Sequence, residues 1–253
     1  MSQETHKFFI PVMGTGFTID SILRVGKYGI SSVMSLVDDR LIDKVRCHYA
    51  KQWGLSDKAV PKRGSVDRAK RIQLYLELCT DVLCRQVTEL QAQPFAPGND
   101  KSRYFRLLPD TNPAKAQFLR YMERAADQPD AEEEKALNQH IVPGRIGCNI
   151  MTKLDGAWFD RDGKRIETEL SDAKAAILGL AEAKGDYELV LSAGVNPTLF
   201  GYLESFSGFY PDEHGHTAKK IILKVSDLRS ALIQGKLLAK KGFALPSFAW
   251  SPV

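Results

Sequence analysis

Short apolar runs recur along this chain, and each opens into a small or polar loop followed by a helix-start signal. No other feature constrains the fold as much. A strand–loop–helix repeat connected with one hand builds a parallel sheet whose strand-to-helix loops all fall on one rim. The first run, Phe8-Phe-Ile-Pro-Val-Met13, leads into Gly14-Thr15-Gly16, where backbone or ligand can approach closely. Thr18 is placed to cap a helix over Ile19 to Tyr28, with Gly29 as its stop. Ile30 to Val37 reads as a second buried strand, closed by Asp38-Asp39, and Leu41 to Trp53 as a second helix.

Residues 52–143 break that rhythm. Ser65 is placed to cap a helix whose apolar positions Ile72, Leu76, Cys79, Leu83, Val87 and Leu90 follow helical spacing. A Pro/Gly-rich joint over 93–99 follows, and Asn112-Pro113 then reads as N-cap and first-turn proline of a helix to about Ala126. Asp127 to Glu134 reads as a solvated turn and helix start. The rhythm resumes with a third strand over Gly144 to Thr152, and turn chemistry follows between Trp158 and Lys164. A helix from Asp172 to Lys184 is capped by Ser171 and stopped by Gly185. Tyr187 to Gly194 is a fourth strand, and Asn196-Pro197 starts a further helix. Lys219 to Val225 is a fifth strand, Ser226 is placed to cap Asp227 to Lys241, and Ala244 to Trp250 is a sixth. The expectation is an α/β fold of (β/α)8 barrel type with about six βα units. Units one and two occupy 1–51, a helical insertion that serves as lid or docking element occupies 52–143, and units three to six occupy 144–253.

Composition bounds the function. A net charge of +4 in 253 residues is too small to imply a nucleic acid or an anionic membrane as partner. The basic stretch around Lys62, Arg63, Arg68, Lys70 and Arg71 reads as a solvated helix start. No apolar run approaches the ~20 residues of a membrane span, and the N-terminus lacks a signal-peptide pattern, so a cytoplasmic location is expected. Cys47, Cys79, Cys84 and Cys148 form no CxxC pair and read as buried free thiols. His214 and His216 read as an exposed loop, with no metal site expected.

A nucleotide-binding sheet normally carries GxGxxG or a P-loop after its first strand. Here Gly14-Thr15-Gly16 is followed by Phe17, with no third glycine and no lysine. Polar or small residues stand instead at successive strand ends: Gly14 and Thr15, Ser35 and Asp38, Asn149 and Thr152, Ser192 and Gly194, Lys224 and Ser226. Such ends facing one cavity are how a (β/α)8 barrel builds a site.

Taken in order, Pro11-Val-Met-Gly-Thr-Gly16, Gly147-Cys-Asn-Ile-Met151, Leu189-Val-Leu-Ser-Ala-Gly-Val-Asn-Pro197 and Ile221-Ile-Leu-Lys-Val-Ser226 resemble strand ends of the FMN-dependent barrel oxidoreductases. The resemblance is nearest to the nitronate monooxygenase (2-nitropropane dioxygenase) group, with enoyl-reductase-like and glutamate-synthase-like barrels behind it. It covers roughly 1–50 and 144–253. It implies that Met13, Gly14 and Thr15 lie against the isoalloxazine, and that Asn149 hydrogen-bonds the ring edge or ribityl chain. Ser192 and Gly194 would line the floor, and Lys224 would face the N1/O2 edge as a cation that stabilises the reduced ring. The family's Gly-Gly-His element after the sixth strand and its glycine-rich phosphate loops have no counterpart before Val253. Eight strands close such a barrel, so a second chain or a further C-terminal segment is expected to complete it.

The leading expectation is therefore an FMN-linked oxidoreductase acting on a small organic substrate. Two alternatives stand beside it. One is an aldolase or lyase using Lys224, desolvated among Ile221, Ile222 and Leu223, as a Schiff-base nucleophile. The other is a non-catalytic, barrel-derived subunit that docks a partner through 52–143.

Overall fold

The computed structural model describes residues 9–10, 19–61, 64–124, 130–152, 155–157, 159–167, 170–192, 194–244 and 247–250. Within them the chain is α/β, with parallel strands β1 (Phe9–Ile10), β2 (Ser31–Ser35), β3 (Ile146–Met151), β4 (Tyr187–Ser192), β5 (Lys219–Val225) and β6 (Ser247–Trp250). They form one sheet in the order β1-β2-β3-β4-β5-β6, which is also their order in the sequence. Among the described residues no pairing joins β6 back to β1. Helices α1 (Ser21–Val25), α2 (Asp39–Gln52) and α3 (Ser65–Ala92) come early in the chain. Then follow α4 (Asp100–Leu107), α5 (Pro113–Arg124) and α6 (Ala131–Asn138), and after β3 come α7 (Asp172–Glu182), α8 (Pro197–Leu203) and α9 (Leu228–Lys240).

Local chemistry accounts for most boundaries. The Asp38 carboxylate accepts from the Arg40 and Leu41 N–H groups and starts α2. Ser171 Oγ accepts from Lys174 N at the head of α7, and Asn196 Oδ1 from Leu199 N at the head of α8. Gly29 and Gly242 follow their helices with φ of 76° and 81°, a left-handed conformation that costs a glycine little. Three caps differ from expectation. The N-cap position of α3 is Gly64, and the expected cap Ser65 is instead its first helical residue. α9 is capped by Asp227, which accepts from Ser230 N at 2.7 Å, because a carboxylate one residue beyond Ser226 reaches the free N–H better. The N-cap position of α1 is Asp20; the expected cap Thr18 lies outside the described residues. α4 was not anticipated: Asn99, inside the Pro/Gly-rich joint, caps it by accepting from Ser102 N.

One face of the sheet packs on helices. Met34, Cys148, Leu189, Leu223 and Val225 share a core with Ile72, Leu76 and Cys79 of α3 and Ile177 and Leu180 of α7. α3 and α7 touch closely at Gly179, where a Cβ would lie 2.4 Å from the Ala69 carbonyl oxygen. Alternation then assigns the other face. In β5, Lys219, Ile221, Leu223 and Val225 are buried, whereas Lys220 and Lys224 are exposed and Ile222 is half-buried.

Helices α4 to α6, with the last turns of α3, form a second core. Phe105, Phe118, Tyr104, Tyr121 and Leu137 pack together, with Phe105 and Phe118 stacked at 5.0 Å. Fully buried Lys101 donates to the carbonyls of Gln91 and Gln93 and to Glu134. This unit is fastened beside the start of β2. Asp100 accepts from Lys27 and from the Tyr28 hydroxyl, each at 2.5 Å, and the Tyr104 hydroxyl donates to the His140 carbonyl shortly before β3. It therefore sits at the end where the strands begin, away from the carboxyl rim.

Candidate functional site at the carboxyl rim

Where parallel strands end, their loops diverge, and a ligand finds room there. The rim above β2 and β3 holds a small, partly open cleft. Its walls are Leu36 and Val37 after β2, Asn149, Ile150 and Met151 of β3, Arg68 of α3, and Asp172, Ala173 and Ala176 of α7. Ser35 and Asn149 are register partners in β2 and β3, and both are buried, at 2% and 5% exposure.

Arg68 is the clamp of this region. It donates to Asp39, to the carbonyls of Leu36 at 3.2 Å and Val37 at 3.1 Å, and to the Asp172 carbonyl at 3.1 Å. Asp39 also accepts from Arg71 Nε at 2.6 Å. One buried carboxylate thus lies between two guanidiniums that are 6% and 2% exposed. The expectation of a solvated basic helix start fails at Arg68 and Arg71, although Lys70 is exposed. The reason is their spacing: Arg68 precedes Ile72 and Leu76 at intervals of four, which places it on the apolar stripe. Lys62 and Arg63 lie outside the described residues. Arg68 has four partners already, so its role is to hold the β2 loop against the head of α7.

Asn149 differs. Among the described residues its carboxamide makes no hydrogen bond; the residue is 5% exposed, and alternation with Cys148 and Ile150 directs its side chain to the sheet face away from α3 and α7. An amide in that state offers one acceptor and two donor hydrogens to whatever enters. The cleft itself is apolar at Ile150, Met151, Ala173 and Ala176, with the half-exposed Asp172 carboxylate at one side.

The other anticipated residues fall as follows. Met13, Gly14 and Thr15 lie outside the described residues. Ser192 ends β4 opposite Met151. Gly194 adopts φ 104° in the following loop, where its carbonyl accepts from Thr152 Oγ1 at 3.0 Å. Asn196 Nδ2 in turn donates to the Thr152 carbonyl, so the loops after β3 and β4 are tied together. Lys224 is exposed, and the expectation that Ile221, Ile222 and Leu223 desolvate it is corrected: Ile221 and Leu223 sit on the opposite face of β5. The buried lysine of β5 is Lys219, at the other end of the strand. Its Nζ donates to the carbonyls of Ala183 and Gly185, each at 2.6 Å, and lies 4.3 Å from the centre of the Tyr187 ring. Burial pushes its amine down to about 8.

His214 and His216 are exposed as expected, and His216 Nε2 lies 2.9 Å from Asp186. Among the described residues no group of three or more ligating side chains is arranged for a metal ion. Nor is any helix there long and apolar enough to cross a membrane. Cys79 and Cys148 are buried free thiols, but Cys84 is exposed and Cys47 partly so. Five residues beyond Cys79, Cys84 has rotated off the buried stripe of α3. No protein-family model, curated protein or solved structure matches this chain.

Proposed function

We propose that the carboxyl rim of this sheet is a small-molecule site, and that its ligand is FMN in a (β/α)8-type oxidoreductase acting on a small organic substrate. The observation that carries the reading is Asn149, 5% exposed and with no side-chain hydrogen bond among the described residues, toward the carboxyl end of an inner strand. Six parallel strands in sequential order are also what part of such a barrel requires. The donor set suits the group: an amide can both give to and take from the edge of a flavin ring, and Lys224 adds an exposed cation at the end of β5. FMN, when bound, supplies hydride and single-electron chemistry. Asn149 would orient it, while Arg68 holds the cleft wall.

Two alternatives change weight. A Schiff-base reaction at Lys224 loses its support, since an exposed lysine lacks the desolvation that makes it nucleophilic. A docking role for the α4–α6 unit gains some, because that unit lies beside Tyr28, at the opposite end from the rim it would have to cover as a lid.

The test is titration of FMN into the purified protein, followed by quenching of flavin fluorescence. Saturable binding is expected. Asn149→Ala should weaken it roughly tenfold, the value of one or two hydrogen bonds, with an unchanged circular dichroism spectrum. Equal binding by the wild type and the variant, or none by either, would remove FMN from this rim.

A further inference from the structure

Helix α9 and strand β6 carry an apolar strip that nothing in the described chain covers. Leu228 is 69% exposed, Leu232 54% and Phe248 50%. They are contiguous: Leu228, Leu232 and Gly235 recur on one side of α9, and a Cβ at Gly235 would lie 3.1 Å from the Phe248 ring. The helix has already spent its other side, Ala231, Gln234 and Leu238, on the core. At about 100° per residue, Arg229, Lys236 and Lys240 form a second row beside the strip, interrupted by Ile233, itself 53% exposed. All three are exposed and have no ion-pair partner among the described residues. α9 contains no acidic residue, and the neighbouring Asp227 carboxylate is occupied in accepting from Ser226 Oγ, Ser230 N and Ser230 Oγ.

We infer that this face docks an amphipathic helix of another polypeptide, one whose apolar stripe is flanked by Asp and Glu. The apolar strip accounts for the stripe, and the unpaired cationic row selects the sign of its flank. Recognition of this kind reads anchors at helical spacing in a groove, with charge at the rim setting partner choice. The site is separate from the carboxyl-rim cleft.

The probe is a pair of synthetic helical peptides of roughly five turns, identical in their leucine stripe and flanked by glutamates in one and lysines in the other. Fluorescence anisotropy with the purified protein should give saturable binding of the glutamate peptide, at least about tenfold tighter than its lysine twin. The preference should invert in the Lys236→Glu/Lys240→Glu variant. Leu232→Glu, at an exposed position, should abolish binding while FMN titration is unchanged. The inference is overturned if the twins bind equally or not at all. It is also overturned if light scattering shows a dimer that Leu232→Glu dissolves, which would make the occupant a second copy. Cosedimentation with phosphatidylserine vesicles but no peptide binding would likewise overturn it, in favour of a lipid surface.

Discussion

Asp39→Asn is the substitution that most directly tests how the rim is built. The carboxylate is 8% exposed and accepts from both Arg68 and Arg71. The amide keeps the volume and one acceptor oxygen but removes the negative charge that both guanidiniums share. Breaking a buried pair while leaving its partner charged costs about 3–5 kcal/mol. Arg68 keeps its three carbonyl acceptors after the change, so the lower end, about 3 kcal/mol, is expected. That is a large part of the ~5–15 kcal/mol that holds a domain together. Urea denaturation at neutral pH, followed by far-ultraviolet circular dichroism, reads it directly. A second variant, Asp39→Asn with Arg71→Met, should recover part of the loss, because it removes one of the two charges left facing each other. A single-variant loss below about 1 kcal/mol would show that solvent screens these pairs as it does surface ones, and the account of Arg68 as a buried clamp would fall.

Gly179→Ala should lower thermal stability by an amount corresponding to about 2 kcal/mol or more, since its Cβ would meet the Ala69 carbonyl oxygen at 2.4 Å; an unchanged melting temperature would refute the close approach of α3 and α7. Lys219 gives a pH dependence. Its folded-state amine is lowered to about 8, so between pH 8 and the ordinary lysine value the unfolded chain binds more protons, and stability rises with pH through that window. The contribution, up to about 3 kcal/mol, should be absent in Lys219→Met when denaturation midpoints at pH 7.5 and 9.5 are compared on the same footing; equal slopes for both proteins would contradict it. Alkylation of the native protein should modify Cys84 first and Cys47 more slowly, with Cys79 protected, its buried thiol being pushed up to about 12. Peptide mass mapping that found Cys79 or Cys148 labelled before unfolding would show that the α3–β3 core opens.

Much of the fold could be read from residue order because its signals are local. Lys219 to Val225 was bounded to the residue, and the Ser171 and Asn196 caps were found from side chains that hydrogen-bond three positions ahead. α4 escaped because its cap, Asn99, stands among prolines and a glycine that read as a joint. The buried cations escaped for a different reason. Arg68, Arg71, Lys101 and Lys219 are charged residues whose partners come from elsewhere in the chain. Asp39 is 29 and 32 residues from the two arginines, and the Lys219 acceptors are 36 and 34 residues away. A charge invites a solvent-exposed reading unless its position within the helical period is weighed first. Arg68 lies one helical interval before Ile72, and that alone argued for burial.

The same reasoning separates Asn149 from Lys224, two strand-end residues that looked equivalent in the sequence. Both lie on the sheet face away from Cys148 and Leu223, which pack on the helices. The difference comes from neighbours. β3 lies inside the sheet, flanked by β2 and β4, whereas Lys224 stands one strand from the end of the described sheet, with only β6 beyond it. Position along a strand says that a residue reaches the rim; the number of strands on either side decides whether water reaches it too. A polar group that must remain buried at a rim is stable only if something satisfies it. For that reason the amide of Asn149, rather than the amine of Lys224, is the group on which the binding proposal rests.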